Sequence, residues 1–282
     1  MKILLTNDDG YLAKGIKVLA KLLSGYGEVT VVAPKHHQSG MSMGVDLGLH
    51  RLAYKDLGLD ENGVRWSYFD GKPASCVKFA LNYPFKDLRP DVVVCGVNHG
   101  TNAGAGACYS GTLGAAEEAA LNDCRSIGVS IDSMEENPDF SCVECFFPDI
   151  FERLLKDYPG KYGIFYNINF PALPPEQIKG VKAAHQGINT WTREVQEWNP
   201  DEILEHFGIN ISKDKTSGPL EEGEKPFMLL GTFTDDDRNT PGADFRLNMD
   251  GWISVVPDKV DMTDYAEVER LAKLGFNREF KK

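Results

Sequence analysis

The chain has 282 residues, of which 42% are hydrophobic and 26% charged, and its formal net charge is -12. This composition is ordinary for a folded globular protein, and an acidic chain without a Lys/Arg cluster is a poor partner for an extended nucleic acid. No stretch approaches the roughly 18 apolar residues that a membrane-spanning helix needs, so we expect a cytoplasmic protein that does not act at a membrane.

The first 171 residues alternate between strands and helices. Apolar, β-branched runs predict strands, and apolar residues at helical spacing predict helices, the last of which we expect to break at Pro148. The strand–helix–strand order with short connections is typical of a parallel α/β sheet. The predicted strands span 2–6, 28–34, 90–98, 126–131 and 163–171, and the predicted helices span 14–24, 71–83, 112–123 and 141–156.

The pattern changes after Pro171. Residues 182–198 alternate in the manner of hairpin strands, and residues 212–226 are polar and predict an exposed loop. Two further antiparallel strands are predicted at 226–234 and 251–257, and an amphipathic helix at 264–276. The sequence therefore predicts an α/β core over residues 1–175 and a hairpin-rich appendage with a C-terminal helix over residues 176–282.

Oxygen-bearing side chains follow three of the predicted strands. Asp8 and Asp9 come after the first strand, Ser39 after the second, and Asn98 ends the strand that begins near residue 90. Ligands of parallel α/β sheets bind beyond the carboxyl ends of the strands, so we expect these side chains to meet there. Two carboxylates, a hydroxyl and an amide oxygen form a hard-oxygen set, which predicts a Mg²⁺ or Mn²⁺ site. A cation would also remove the repulsion between the adjacent carboxylates.

A glycine-rich loop leads into the helix that begins near Thr112. Ser110 and Thr112 can cap this helix, and the free amides of its first turn would then form an anion site. A metal site beside an anion site indicates a phosphate-handling enzyme. Taken singly, each feature has a plainer structural explanation: a helix cap, a solvated turn, or a hydrogen-bonded histidine at positions 36, 37, 99 and 185. Their occurrence together at the predicted strand ends favours a functional site over these structural explanations.

Four motifs in order and spacing carry a family resemblance: ILLTNDDGY (3–11), VTVVAPKHHQSG (29–40), PDVVVCGVNHGTNAG (90–104) and YSGTLGAAEEA (109–119). The chain resembles the stationary-phase survival protein SurE family, whose members are metal-dependent 5′/3′-nucleotidases, some with exopolyphosphatase activity. The resemblance implies hydrolysis of nucleoside 5′- and 3′-monophosphates, and of short polyphosphate. It also implies a Rossmann-like, doubly wound, mostly parallel sheet, with C-terminal hairpins exchanged between subunits of a homodimer or homotetramer.

The resemblance also assigns site residues. It implies one divalent metal ion per subunit, held by Asp8, Asp9, Ser39 and Asn98. It implies a phosphate site at Asn102 and at Ser110, Gly111 and Thr112. Asp8 or Asp9 is then the catalytic carboxylate that orients the attacking water or accepts its proton. The partner is a small phosphorylated substrate, a nucleoside monophosphate.

Three other classes of protein share some of these features. A signalling receiver domain also has an acidic pair after its first strand, but it needs a phosphorylatable Asp where this chain has Asn98. A phosphatase with an Asp nucleophile in a DxDG arrangement needs an acid where this chain has Gly10. A nucleotide-binding module without catalysis fits the glycine-rich loop, but a metal cluster disfavours it. A phosphate-release assay separates this last class from an enzyme.

Overall fold

The structure is a computed structural model that describes residues 1–48, 50–133, 135, 137–201, 220–229 and 231–279. The predicted loop at 212–226 lies outside the described residues except for its last seven positions, 220–226. No described helix is long and apolar enough to cross a membrane.

Strands and helices alternate through the first two thirds of the chain, as the sequence predicts. The strands are β1 (Lys2–Thr6), β2 (Glu28–Pro34), β3 (Tyr54–Leu59), β4 (Arg65–Phe69), β5 (Val92–His99), β6 (Ser126–Asp132), β7 (Ile164–Pro171), β8 (Gly180–Ala183), β9 (Asn189–Thr192), β10 (Val195–Glu197), β11 (Phe227–Leu229), β12 (Thr232–Asp235) and β13 (Trp252–Lys259). The helices are α1 (Lys14–Ser24), α2 (Pro73–Asn82), α3 (Gly106–Tyr109), α4 (Gly111–Leu121), α5 (Ser141–Lys156), α6 (Asp244–Met249) and α7 (Tyr265–Lys273).

Nine strands form the central sheet in the order β3-β4-β2-β1-β5-β6-β7-β13-β8. Strand β1 lies near its middle and pairs in parallel with β2 and β5, with Ile3 opposite both Val29 and Val92. The pairs β3–β4 and β13–β7 are antiparallel, and the remaining neighbours are parallel. The predicted mostly parallel α/β fold is confirmed.

Helices cover both faces of the sheet. Successive residues of a strand point to opposite faces, so Ile3 and Leu5 pack with the side chains of α1 and α5, whereas Leu4 packs with those of α2 and α4. All three are fully buried, which stabilises the fold by roughly 1.5–3 kcal/mol for each side chain. A doubly wound sheet of this kind leaves its strand ends free to carry a site.

Several elements differ from the sequence prediction. Helix α5 runs unbroken from Ser141 to Lys156 with Pro148 inside it, so the predicted break is wrong. Its apolar face, which includes Phe147 and Phe151, is buried in the core, and this packing outweighs the hydrogen bond that proline cannot donate. The antiparallel pair β3–β4 was not predicted.

The described chain divides into two compact units, Met1–Gly187 with Pro241–Lys282, and Ile188–Thr240. The second unit contains two short antiparallel pairs, β9–β12 and β10–β11, with Trp191 packed on Phe233. These are the extra hairpins that the sequence predicts. Residues 241–282, part of the predicted appendage, pack with the first unit, because β13 pairs with both β7 and β8.

Candidate active site

The turn after β1 carries the two adjacent acids. Asn7 holds this turn closed, since its Nδ2 donates to the Gly10 carbonyl at 3.0 Å and its Oδ1 accepts from the Gly10 amide at 3.2 Å. Gly10 has a φ of +95°, in the region that favours glycine. Asp8 and Asp9 are therefore fixed just beyond the centre of the sheet.

Asp8 is the most enclosed acid of the pair, with 3% of its surface exposed. Its Oδ1 accepts a hydrogen bond from the Thr112 hydroxyl at 2.7 Å. Burial raises the pKa of Asp8 to about 6, the charge on Asp9 adds to the rise, and the Thr112 hydrogen bond opposes it. A cation beside the two carboxylates would relieve both causes of the rise.

Asp9 is more open and is held by two nitrogen atoms. Its Oδ2 accepts from the backbone amide of His99 at 3.1 Å, and its Oδ1 lies 3.3 Å from Nδ1 of His37. Because His99 ends β5, the first of these bonds ties the β1 turn to the neighbouring strand. The structure thus brings Asp8 and Asp9 together with the end of β5.

Asn98 lies at the end of β5, where it is buried. Its Nδ2 donates to the Gly100 carbonyl at 2.7 Å. This leaves the side-chain oxygen, Oδ1, as the atom that can bind a cation, as the sequence prediction requires.

Ser39 is exposed, on the loop that follows β2. Contacts on both sides fix this loop. The amide of Gln38 donates to the Asp8 carbonyl at 2.7 Å, and the Ser42 hydroxyl donates to the Cys108 carbonyl at 2.8 Å. The loop therefore runs from the acidic turn to α3, with Ser39 between its two anchors.

Helix α4 begins against Asp8. Ser110 is its N-cap, with Oγ accepting from the Leu113 amide at 3.1 Å. A Cβ on Gly111 would lie 2.9 Å from Asp8 Cβ and 3.0 Å from Asp8 Oδ2, so only glycine lets the helix approach this closely. The amides at the start of a helix have no partner within it and form an anion site. The predicted phosphate helix and the acid pair thus share one location.

Asn102 is engaged in a buried amide network rather than facing solvent. Its Nδ2 donates to Ser130 Oγ at 2.7 Å, and its backbone amide donates to Asn169 Oδ1 at 2.8 Å. Asn167 Nδ2 donates to the Asn102 carbonyl at 3.0 Å. Sequence reasoning did not identify Ser130, Asn167 or Asn169. Two asparagines at alternate positions of the otherwise apolar strand YNINFP were a signal that could have revealed Asn167 and Asn169.

The chemistry of the donor set decides which ion it can hold. Among the described residues, no group of three His, Cys, Asp or Glu side chains is arranged to bind a metal. A cation here therefore depends on the hydroxyl of Ser39 and the amide oxygen of Asn98 as well as on the two carboxylates. Oxygen donors of this kind fit Mg²⁺ or Mn²⁺ and not a softer ion.

Comparisons with known proteins extend over almost all of the chain. The family model described as Survival protein SurE matches residues 3–193. The sequence is 34% identical over 280 residues to the 5′-nucleotidase SurE of Cytophaga hutchinsonii, covering 99% of this chain and 96% of that protein. It is 35% identical over 289 residues to the 5′-nucleotidase SurE of Roseobacter denitrificans, covering 98% and 100%. The crystal structure of the SurE protein from Aquifex aeolicus superposes with a TM-score of 0.76 at 26% identity, covering 98% of this chain and 100% of that one.

Proposed function

Because this chain belongs to the survival protein SurE family, we propose that it is a nucleotidase, a hydrolase of phosphate monoesters. The relatives' shared name, 5′-nucleotidase SurE, supports nucleoside 5′-monophosphates as substrates. We extend the proposal to 3′-monophosphates and short polyphosphate, since an anion site at a helix start recognises the phosphoryl group, which all three share.

The proposed cation ligands are Asp8, Asp9, Ser39 and Asn98. The raised pKa of Asp8 supports this assignment, because two carboxylates held together by the fold are costly to ionise without a compensating charge. When bound, Mg²⁺ or Mn²⁺ supplies Lewis-acid chemistry: it neutralises phosphate charge and makes a water molecule more acidic.

The start of α4 is the proposed phosphate site. The amides of Gly111 and Thr112 belong to the first turn, and with the positive end of the helix dipole they favour a phosphate oxygen. Fixed donors of this kind stabilise the negative charge that moves onto the phosphoryl oxygens in the transition state. Ser110 acts by capping the helix and so fixing these amides, and Asn102 acts by fixing the loop that precedes them.

The acid pair is the proposed proton acceptor. A water oxygen forms a bond to phosphorus while the bond from phosphorus to the ester oxygen breaks, giving inorganic phosphate and an alcohol. Asp8 or Asp9 orients this water and accepts the proton it loses, and the departing alkoxide takes up a proton from solvent. The protonated acid then returns its proton to solvent. No covalent intermediate with the protein is required.

The single observation that carries the proposal is the 2.7 Å contact between Thr112 Oγ1 and Asp8 Oδ1, which joins the acid pair to the start of the phosphate helix. Phosphate release from a panel of nucleoside 5′- and 3′-monophosphates and tripolyphosphate, with Mg²⁺ and with Mn²⁺, tests it. We expect release from the 5′-monophosphates. Binding of nucleotides without phosphate release would instead identify a nucleotide-binding module that has no catalytic activity.

A further inference from the structure

The glycine-rich loop that joins β5 to α3 separates the two halves of the proposed site. It follows Asn98, a proposed metal ligand, and precedes Ser110, the cap of the phosphate helix. The position of this loop therefore affects the distance between Asn98 and the start of α4. Asn169 holds its first part through the Asn102 amide.

Gly104, in the second part of the loop, is held through both polar groups of its backbone. Its amide donates to Asp244 Oδ2 at 2.9 Å, and its carbonyl accepts from Gln186 Nε2 at 2.9 Å. Its φ of +56° lies in the left-handed region, so the backbone itself does not favour this conformation for other residues. External contacts fix Gly104 in place.

Asp244 is fully buried at the start of α6. Besides Gly104, its carboxylate accepts through Oδ1 from the amides of Gly187 and Phe245, both at 2.8 Å. Its own amide donates to the His185 carbonyl at 3.0 Å. Burial raises the pKa of Asp244, and the three amide donors lower it. Because three backbone amides donate to its two oxygens, this carboxylate has one fixed orientation.

We propose that Asp244, assisted by Gln186, is a positioning residue that clamps Gly104 and so sets the place of the phosphate helix relative to Asn98. In this proposal both residues act through the glycine-rich loop, which they hold by hydrogen bonds to Gly104. The expected effect of these contacts on phosphate binding rests on the proposed function. Their direct structural effect, protection of the loop amides, does not depend on that function.

Asp244→Asn is the sharpest test because it keeps the shape of the side chain. One orientation of the new amide group turns its NH₂ toward the Gly104 amide, and the other turns it toward those of Gly187 and Phe245. Either way, donor faces donor and the network is strained. Asp60→Asn is a matched control, since Asp60 also accepts backbone amides, from Asn62 and Val64, in the turn between β3 and β4.

Gln186→Ala is the second variant and keeps the proposal testable if Asp244→Asn does not fold. Gln186 is exposed, so its removal leaves the core intact. It takes away only the neutral hydrogen bond to Gly104 and a 3.6 Å contact with Cys108 Sγ. We expect an effect of about fivefold, the usual result of losing one such bond.

The measurements are hydrogen exchange of peptides covering residues 100–109, and KM together with the inhibition constant of inorganic phosphate. Asp244→Asn should speed loop exchange and raise both constants about tenfold or more, as loss of an outer support commonly does. Gln186→Ala should do the same to a smaller degree, and Asp60→Asn should do neither.

A purely structural role would lower only the amount of folded enzyme. Unchanged KM and phosphate inhibition in both clamp variants, or unchanged loop exchange, would overturn the proposal. If the wild-type protein releases phosphate from no nucleoside monophosphate, the proposed function fails, while the exchange rates still decide whether Asp244 and Gln186 hold the loop.

Discussion

At the scale of single residues, the contact between Thr112 and Asp8 is the link on which the site depends. The Thr112 hydroxyl donates to a buried carboxylate, and nothing else about the side chain is polar. Thr112→Val keeps the shape and removes the donor, so we expect kcat/KM to fall by roughly 10- to 100-fold. Thr112→Ser keeps the donor and should remain within a few-fold of wild type. Equal activity of the Val and Ser variants would show that this bond has no role.

Gly111 allows a steric test of the close approach between the start of α4 and Asp8. In Gly111→Ala, the new Cβ would lie within 3.0 Å of Asp8, so the carboxylate or the helix start must shift. Since a shift of about 1 Å can cost roughly 100-fold in rate, we expect kcat to fall by that order while the far-ultraviolet circular dichroism spectrum is unchanged. Gly160→Ala, where a Cβ meets nothing within 4 Å, is the control. A Gly111→Ala enzyme as active as this control would contradict the close approach.

The residues of the candidate site could be predicted in part. Asp8, Asp9, Ser39 and Asn98 follow predicted strands, and the rule that parallel strand ends converge is enough to group them. The partners of these residues could not be predicted. The contact of Thr112 with Asp8 and that of Asn102 with Asn169 depend on side-chain rotamers and on elements far apart in sequence. Their roles in binding and catalysis stay predictions.

At the scale of elements, the cap of α4 should matter more for function than an equivalent cap elsewhere. Ser110→Ala removes the acceptor for the Leu113 amide, which costs about 1 kcal/mol of stability and loosens the first turn. Weaker inhibition by inorganic phosphate is the expected result. Asp264→Ala removes the cap of α7 and should leave phosphate inhibition unchanged. Equal phosphate inhibition in both variants would argue against binding at α4.

The end of β13 predicts a pH effect on stability. Burial raises the pKa of Asp258 from 3.8 to about 7, and the nearby charges of Asp244 and Glu117 add to the rise. Between about pH 4 and 7, the folded state therefore holds this proton more tightly than the unfolded state, and the free energy of unfolding falls as pH rises. That pKa difference corresponds to at most about 4 kcal/mol, and partial exposure makes the effect smaller.

Asp258→Asn removes the charge and tests this directly. The variant should unfold at higher denaturant than wild type at pH 8, and the two should converge near pH 4. Urea unfolding at both pH values measures the difference. A variant that is no more stable than wild type at pH 8 would show that the ionised Asp258 carboxylate does not destabilise the folded state.

The sequence predicts the buried elements better than the exposed ones. Strands such as Lys2–Thr6 and Ser126–Asp132 are buried over almost their whole length, and the sequence predicts them to within a residue. The edge strand Tyr54–Leu59 is mostly exposed and carries no apolar run, so the sequence does not predict it. Helix α5 was predicted to break at Pro148 because local propensity says nothing of the core that packs against the helix.

At the scale of the whole molecule, the unit Ile188–Thr240 indicates assembly. Among the described residues of this unit, each pair has two strands, and these strands expose apolar side chains, among them Val195, Phe227 and Leu229. Isolated two-stranded hairpins are marginal in water. We expect a homodimer or homotetramer that covers these side chains in an interface of about 2,000 Å² or more. Sedimentation equilibrium at low micromolar concentration measures this, and a stable, active monomer would contradict it.

The path of the chain as a whole was the least predictable feature. The change of sequence pattern after Pro171 comes before the hairpins, which begin at β9, and it does not show that the chain returns to the central sheet. Strand β13 pairs with β7 and β8, which lie about 70–90 residues earlier in sequence. Pairing over such distances depends on packing that no local pattern encodes.

The central claim is that the acid pair, with a divalent cation, hydrolyses nucleoside monophosphates. Phosphate release from a nucleoside 5′-monophosphate, measured for wild type, Asp8→Asn and Asp9→Asn after EDTA treatment and after return of Mg²⁺ or Mn²⁺, tests it most directly. We predict no release by metal-free wild type, recovery when the metal returns, and kcat lowered by orders of magnitude in both folded variants. Full activity of the EDTA-treated wild type, or of either variant, would contradict it.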